Sequence, residues 1–263
     1  MYSAISTSES GIRAFQGALD QTAHNLANVN NEGFKGAQAA FSDLYYQEYR
    51  DRRMPVDPPP ETLEPQGGGG SRVSAVTPDF SQGNLHSTDR PLDLAIEGPG
   101  FFQVTRPDGS EAFTREGSFH KDAEGNLVNS EGHFLEEEGA FDLEEEQVEE
   151  VNVTPEGEVY VQDEEGETEE LGEFSVYDFV NPHGLEPQEN NQYVETEVSG
   201  DPLEFVPGAE GTGEVQQSFL ESSNVDTSLE FTEMIQNQRA LQSNARALTT
   251  ANELWMLTLQ AKT

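Results

Sequence analysis

The sequence predicts an α+β protein with a long helix at each end of the chain and an all-β domain between them. Three observations carry this prediction. Apolar residues recur every seven positions near both ends, which is typical of helices that pack along a narrow stripe. The middle holds short apolar runs separated by glycine-containing turns. A stretch rich in proline and glycine, 54–78, separates the first helix from the β region.

The first helix is predicted over residues 3–30. Its apolar stripe has a spacing of seven and consists of Ile5, Ile12, Leu19 and Leu26. Gly33 follows as the expected left-handed residue at the C-terminal end of the helix. Phe34 is then placed to pack back on the last turn.

The second helix is predicted over residues 225–261. Its stripe follows a 3-4 spacing and consists of Phe231, Met234, Gln238, Leu241, Ala245, Leu248, Asn252, Trp255 and Leu259. Polar residues in such a stripe weaken the contact but fix its register. One alternative is that the two helices are ordinary core helices. We favour the other, that they pair as a coiled-coil assembly domain, because one helix hairpin would bury only part of two such stripes.

The composition divides the chain into four parts. Residues 1–35 and 220–263 form the two helices of the assembly domain, and residues 79–219 form the central β domain. Residues 36–78 form an extended arm, stiff at its prolines and flexible at its glycines. The arm is either a simple linker or a segment that orders on assembly.

The β domain shows the alternation of strands and turns. Leu92, Leu94 and Ile96 alternate with less apolar residues, which predicts a strand with one buried face. Further strands are expected at 101–104, 151–153, 159–161 and 174–179. Hairpin turns are predicted at the pairs 108–109, 124–125, 131–132, 156–157 and 165–166, each of which ends in glycine.

The charge is extreme and uneven. The chain carries 13 basic and 51 acidic side chains, a net charge of −38, and residues 54–220 hold 5 of the basic and 40 of the acidic ones. Such a balance argues strongly against binding to nucleic acid or to an anionic membrane surface, since both need lysine and arginine. We interpret the acidity as adaptation to concentrated salt. Intrinsic disorder and cation binding are the alternatives.

The sequence shows no recognisable motif for catalysis, metal binding or cofactor binding. There is no cysteine, and the five histidines form no metal-ligand spacing. No nucleophile elbow or phosphate-binding loop occurs. We therefore expect no catalytic residues, no metal and no cofactor, and not an enzyme. The N-terminus lacks the features of a cleavable secretory signal, and no apolar run is long enough to span a bilayer.

Three stretches carry a family resemblance. Residues 24–35 resemble the N-terminal signature of the bacterial flagellar rod and hook proteins, matching it at Asn25, Leu26, Ala27, Asn28, Gly33, Phe34 and Lys35. Residues 80–128 are similar to the β core of that family, and the motif residues are Ile96, Gly98, Gly100, Phe101, Phe102, Thr114, Arg115, Gly117 and Phe119. Residues 220–226 and 234–244 are similar to its C-terminal segment. The acidic part, 136–173, is the least similar.

The resemblance implies a structural subunit of the flagellar basal-body rod that assembles helically in many copies and transmits torque. The length of the chain and the arm after the first helix are most like those of the distal-rod proteins of this family. The proximal-rod and hook-type proteins are the alternatives. The implied partners are further copies, other rod and hook subunits and the flagellar type III export apparatus. Export would then need no cleavable signal peptide. From another class, the alternative is an acidic extracellular cation-binding β protein.

Overall fold

The computed structural model describes residues 2–44, 46–48, 66–136, 151–162, 168–208 and 212–260. The prolines of the predicted arm between 55 and 65, the predicted turn at 165–166 and most of the acidic runs lie outside these residues. The chain forms two compact units. One contains 1–27, 37–77 and 226–263, and the other contains 28–36 and 78–225. We call them the helical unit and the β unit.

Short strands occupy most of the chain between a long first helix and a longer last one. The first helix and the strands up to the middle of the chain are α1 (Tyr2–Ala27), β1 (Ala37–Asp43), β2 (Tyr46–Glu48), β3 (Gln66–Gly68), β4 (Ser71–Pro78), β5 (Leu85–Ser87), β6 (Leu94–Glu97), β7 (Phe101–Thr105), β8 (Glu111–Thr114), β9 (His120–Lys121), β10 (Leu127–Val128) and β11 (Phe134–Leu135). The remaining elements are β12 (Val151–Val153), β13 (Glu158–Gln162), β14 (Thr168–Glu173), β15 (Val176–Asp178), a 3₁₀ turn (Pro182–Gly184), β16 (Glu186–Pro187), β17 (Gln192–Val194), β18 (Leu203–Phe205), β19 (Glu214–Gln217), β20 (Phe219–Glu221) and α2 (Thr227–Gln260).

The helical unit consists of α1, α2 and two small sheets, β1–β4 and β2–β3. The side chain of Asp226 caps α2, because its Oδ1 accepts hydrogen bonds from the backbone N–H groups of Ser228 (2.8 Å) and Leu229 (3.2 Å). A cap of this kind stabilises a helix by about 1 kcal/mol. Strand β1 packs on α1 through the rings of Phe15 and Phe41, whose centroids lie 5.6 Å apart.

The β unit is built on a nine-stranded sheet. Seven strands follow the path β16-β17-β8-β7-β11-β10-β9, β15 pairs with β7, and β18 pairs with β15. A three-stranded sheet, β12-β13-β14, packs with it into one apolar core. Two pairs of distant strands complete the unit. Strand β6 pairs with β19, and β5 pairs with β20.

Two apolar clusters hold the β unit together. The larger joins residues of β6, β7 and β8 to those of β12, β13 and β15, with Phe102 and Phe119 packed edge to face. The smaller is aromatic and contains Phe101, Phe113, Tyr177, Phe179 and Tyr193. Edge-to-face contacts between such rings add about 0.5–1.5 kcal/mol each beyond burial.

The structure confirms the fold class in its coarse form, two terminal helices and a β-rich body, and confirms the turns at 108–109, 124–125, 131–132 and 156–157. Two local predictions were wrong. Helix α1 ends at Ala27, so Gly33 has its positive φ of 67° in a turn six residues later and is not the helix cap. The segment 93–96 is buried on both faces, because Asp93 and Ala95 are as inaccessible as Leu94 and Ile96, and only Glu97 at the end of β6 is exposed.

Candidate functional site: the helix pair and a buried ion cluster

In the helical unit, α1 and α2 lie side by side in opposite directions. A Cβ on Gly11 would lie 3.0 Å from the side-chain amide nitrogen of Asn244, and Asn25 donates a hydrogen bond of 2.8 Å to Glu230. The two contacts, Gly11 with Asn244 and Asn25 with Glu230, are 14 residues apart on each helix. Residue numbers rise along α1 and fall along α2 from the first contact to the second. The helices are therefore antiparallel, and glycine permits their close approach at the first pair.

The most buried face of α1 consists of small and polar residues. It contains Ser8, Gly11, Ala14, Ala18, Thr22 and Asn25. The predicted apolar stripe, Ile5, Ile12, Leu19 and Leu26, lies beside this face and is partly buried at all four positions. The packing inside one chain therefore leaves part of the large apolar surface of α1 accessible.

On α2, the structure separates the predicted stripe into two groups. Met234, Leu241, Ala245, Leu248 and Trp255 are partly buried, whereas Phe231, Gln238, Asn252 and Leu259 are exposed. Five residues of α2 that each precede a predicted stripe position are also partly or fully buried, namely Glu230, Asn237, Ala240, Asn244 and Ala251. A 3-4 spacing is compatible with the predicted stripe and with the one that begins one residue earlier. The earlier stripe was missed because its small and amide side chains are not apolar.

Asn25 joins three elements of the helical unit. Its side chain accepts from the N–H of Ala37 (3.1 Å) and donates to the C=O of Ala37 (2.9 Å), which fixes the start of β1. The same amide donates to Glu230 of α2. Burial raises the pKa of Glu230, and its second carboxylate oxygen is buried without a hydrogen bond. A side chain with both a donor and an acceptor is needed here, which accounts for asparagine.

In the β unit, Lys35 is the centre of a buried ion cluster. Its Nζ lies 2.6 Å from Glu221 Oε1 and donates to the C=O of Ser81 at 2.8 Å. Glu221 Oε1 also accepts from the N–H of Gly83 at 2.6 Å. Both charged side chains are almost fully buried. Burial lowers the pKa of Lys35, which Glu221 opposes.

Arg115 adds a second cation to the cluster. Its Nη1 lies 3.5 Å from Glu221 Oε2, and its Nη2 donates to the C=O of Gly98 at 2.8 Å. The guanidinium also stacks over the ring of Phe101, 5.4 Å from the centroid. One carboxylate therefore faces two buried cations, and burial lowers the pKa of Arg115.

The rest of the N-terminal signature surrounds this cluster or precedes it. Gly33 donates its N–H to the C=O of Glu221 at 2.7 Å, and a Cβ at this position would lie 2.5 Å from the backbone nitrogen of Glu116. Phe34 is buried, Ala27 is exposed, and Asn28 accepts from the side chain of Asn31 at 2.7 Å. Glycine is required at position 33 by both conformation and space.

The β-core motif lies in the interior. Ile96, Phe101, Phe102, Thr114 and Phe119 are buried. The glycines of the motif lie where backbones or side chains approach closely: a Cβ would fall 2.0 Å from Val176 Cγ1 at Gly100, 1.6 Å from the C=O of Leu94 at Gly117 and 2.9 Å from Gly213 at Gly98.

Sequence reasoning did not single out Glu221 and Asn224 as individual residues. Asn224 accepts from the N–H of Gly36 (2.8 Å) and donates to the C=O of Asp79 (2.8 Å). Both residues belong to the segment 220–226 that resembles the family. A lysine at position 35 in a chain with so few cations was the available signal that a buried carboxylate partner should exist.

No chemical centre accompanies these features in the described part of the chain. No group of three or more histidine, aspartate or glutamate residues there is arranged to hold a metal ion. Neither described helix is long and apolar enough to cross a membrane.

Comparison with known proteins gives two family matches. Residues 95–161 match the flagellar hook protein FlgE/F/G D1 domain, and residues 216–261 match the flagellar basal body rod FlgEFG protein C-terminal domain. The first match runs from β6 into β13, and the second contains β20 and the whole of α2. They place the chain among the flagellar hook and rod proteins.

Full-length relatives narrow the assignment. The flagellar basal-body rod protein FlgG of Buchnera aphidicola from Schizaphis graminum is 38% identical over 261 residues, which covers 94% of this chain and 95% of the relative. FlgG of Bacillus subtilis is 37% identical over 256 residues, covering 97% and 95%. The flagellar hook protein FlgE of Helicobacter mustelae is 41% identical, but over 48% of this chain and 28% of its own. The chain belongs to the FlgG family of flagellar basal-body rod proteins.

Proposed function

We propose that the chain is a structural subunit of the distal rod of the flagellar basal body. Many copies would assemble helically into the shaft that transmits torque to the hook. The observation that carries this proposal is the helix pair, whose chain-internal packing uses small and polar residues and leaves large apolar residues accessible. The names of the full-length relatives support the same function.

In this proposal, residues 1–35 and 220–263 form the assembly domain. The partly buried stripe of α1 and the exposed stripe residues Phe231 and Leu259 of α2 would contact neighbouring copies as a coiled-coil layer. Repeated head-to-tail contacts of one kind generate an open helical filament. The same surfaces would meet other rod and hook subunits at the two ends of the shaft.

The segment 36–78 would brace neighbouring subunits, and the central domain, 79–219, would face outward. This arrangement accounts for the charge distribution. Residues 221–263 carry 3 basic and 5 acidic side chains, so repulsion between copies is small there, whereas the excess of acid lies in the central part. The subunit would reach the basal body through the type III export apparatus without a cleavable signal peptide.

Deletion of the gene tests the function. A strain without the gene should build neither hook nor filament and should be non-motile, and a plasmid copy should restore both. Electron microscopy of purified basal bodies would show where assembly stops. A shaft that ends before the distal rod supports the proposal, whereas normally flagellated and motile cells would refute it. Arrest at the proximal rod would assign the chain to that branch instead.

A further inference from the structure

The large apolar side chains that α2 exposes lie in two patches at its opposite ends. The base patch contains Leu229, Phe231 and Ile235, and the tip patch contains Leu254, Met256, Leu257 and Leu259. All seven are between 49% and 60% exposed. No large apolar side chain of α2 is exposed to this extent between 236 and 253. A surface helix that only covered a core would show one stripe along its whole length.

The register of the helix pair explains why the tip is uncovered. Extending the antiparallel register from Gly11 and Asn244 brings Tyr2 level with Glu253. The last turns of α2, 254–260, therefore continue beyond the first residue of α1. Unlike the part of the helix beside α1, this end is apolar on several sides, as a segment that inserts into a neighbour is.

From this arrangement we infer that the tip patch of one copy packs on the base patch of the next copy. The inference rests on the proposed function and specifies the contact between subunits. The occupant is a second copy because both patches lie on the same helix, about 51 Å long. A shift along the helix axis by less than that length brings the tip of one molecule over the base of another. Such a contact is heterologous and does not close on itself.

Charge favours the same partner. The C-terminal part, 221–263, has a net charge of −2, while the whole chain carries −38. Two copies can therefore approach through α2 with little repulsion, whereas contacts through the central domain would bring many like charges together.

Cross-linking of cysteine variants of the full chain distinguishes the possible contacts, because the natural chain has no cysteine. We would prepare Phe231→Cys, Leu257→Cys, the double variant, and Ser243→Cys as an exposed control between the patches. Each is polymerised and treated with a short bis-maleimide, to which two thiols add. The expected result is no cross-linking of either single variant above the control. A mixture of the two gives dimers, and the double variant gives a ladder of oligomers.

Dimers of Leu257→Cys alone would show tip-to-tip contact and overturn the inference. Polymer without cross-links in the double variant would overturn it too, while leaving the proposed function intact. If the unmodified chain forms no polymer at any concentration tested by sedimentation, both fail. As a second readout, Leu257→Glu and Phe231→Glu should each raise the concentration needed for polymerisation at least tenfold. Ser243→Glu should change it less than twofold, and equal effects of all three would contradict the contact.

Discussion

Replacement of Glu221 by glutamine tests the buried ion cluster most directly. Glutamine keeps the size of the side chain and an oxygen that can accept from the N–H of Gly83. It removes the charge that faces Lys35 at 2.6 Å and Arg115 at 3.5 Å. Two buried cations are then left without a counter-ion, so we expect a large loss of stability in the β unit.

The magnitude follows from burial. Removing one partner of a buried ion pair costs about 3–5 kcal/mol, because the remaining charge stays desolvated. We expect about 3 kcal/mol for Glu221→Gln, since one hydrogen bond is retained. Lys35→Met should cost about the same or less, because Glu221 keeps Arg115 as a partner. If the two side chains interact directly, the double variant should lose about 1–3 kcal/mol less than the sum of the single variants.

The measurement is urea unfolding at fixed salt, followed by near-ultraviolet circular dichroism of the tyrosines. Tyr177 and Tyr193 belong to the aromatic cluster of the β unit and report on its packing. The matched control is Arg13→Met, which breaks an ion pair of similar length with Glu9 (2.8 Å) that is exposed. An exposed pair of this kind contributes about 0–1 kcal/mol.

Additive effects of Lys35→Met and Glu221→Gln, within about 0.5 kcal/mol, would refute the coupling. A loss from Glu221→Gln no larger than that from Arg13→Met would refute the argument from burial. Either result would mean that the cluster is hydrated in solution and that the conformation of 33–36 is held by other contacts.

Three further predictions concern other parts of the chain. In urea unfolding, Gly100→Ala should destabilise the β unit by at least about 2 kcal/mol more than Gly109→Ala. Both glycines have a positive φ, but only a Cβ at position 100 would meet the side chain of Val176. Equal losses of stability in the two variants would contradict this. Burial raises the pKa of Glu230 above its unfolded value, so its contribution to stability falls as the pH rises through the folded pKa. The melting temperature of the helices, followed by far-ultraviolet circular dichroism, should therefore fall less between about pH 5 and pH 7 in Glu230→Gln than in the unmodified chain. The exposed control Glu253→Gln should not reduce this fall. The same dependence of melting temperature on pH in both variants would exclude this role of Glu230. The urea midpoint of the full chain should rise between about 0.1 and 1 M KCl, where the Debye length falls from about 10 to 3 Å, and an unchanged midpoint would argue against adaptation to concentrated salt.

Much of the architecture was predictable because it depends on local patterns. The heptad spacing located both helices to within a few residues, and glycine after an acidic or polar residue located the turns. The long-range pairing was not predictable. Nothing local indicates that β6 pairs with β19, or that Asp93 and Ala95 are buried together with Leu94 and Ile96.

The polar features of the site were hidden for a related reason. Asn25 and Lys35 were noted for their resemblance to a family signature, but their partners Glu230 and Glu221 lie about two hundred residues later. In a chain with 51 acidic residues, sequence cannot show which carboxylates are buried. The face of α1 toward α2 was missed because serine, glycine, alanine and asparagine carry no apolar signal.

The pairing of early strands with the last ones has a kinetic consequence. Residue Ile96 pairs with Val215, His86 pairs with Leu220, and Lys35 needs Glu221 to balance its charge. Contacts between residues this distant in sequence form late and slowly, because a long loop must close first. A chain that emerges from its N-terminus cannot complete the β unit until residues 214–221 have followed. The pairing of β5 and β6 and the charge balance of Lys35 therefore close only after about five-sixths of the polypeptide has followed, although the nine-stranded sheet between them needs none of the last residues.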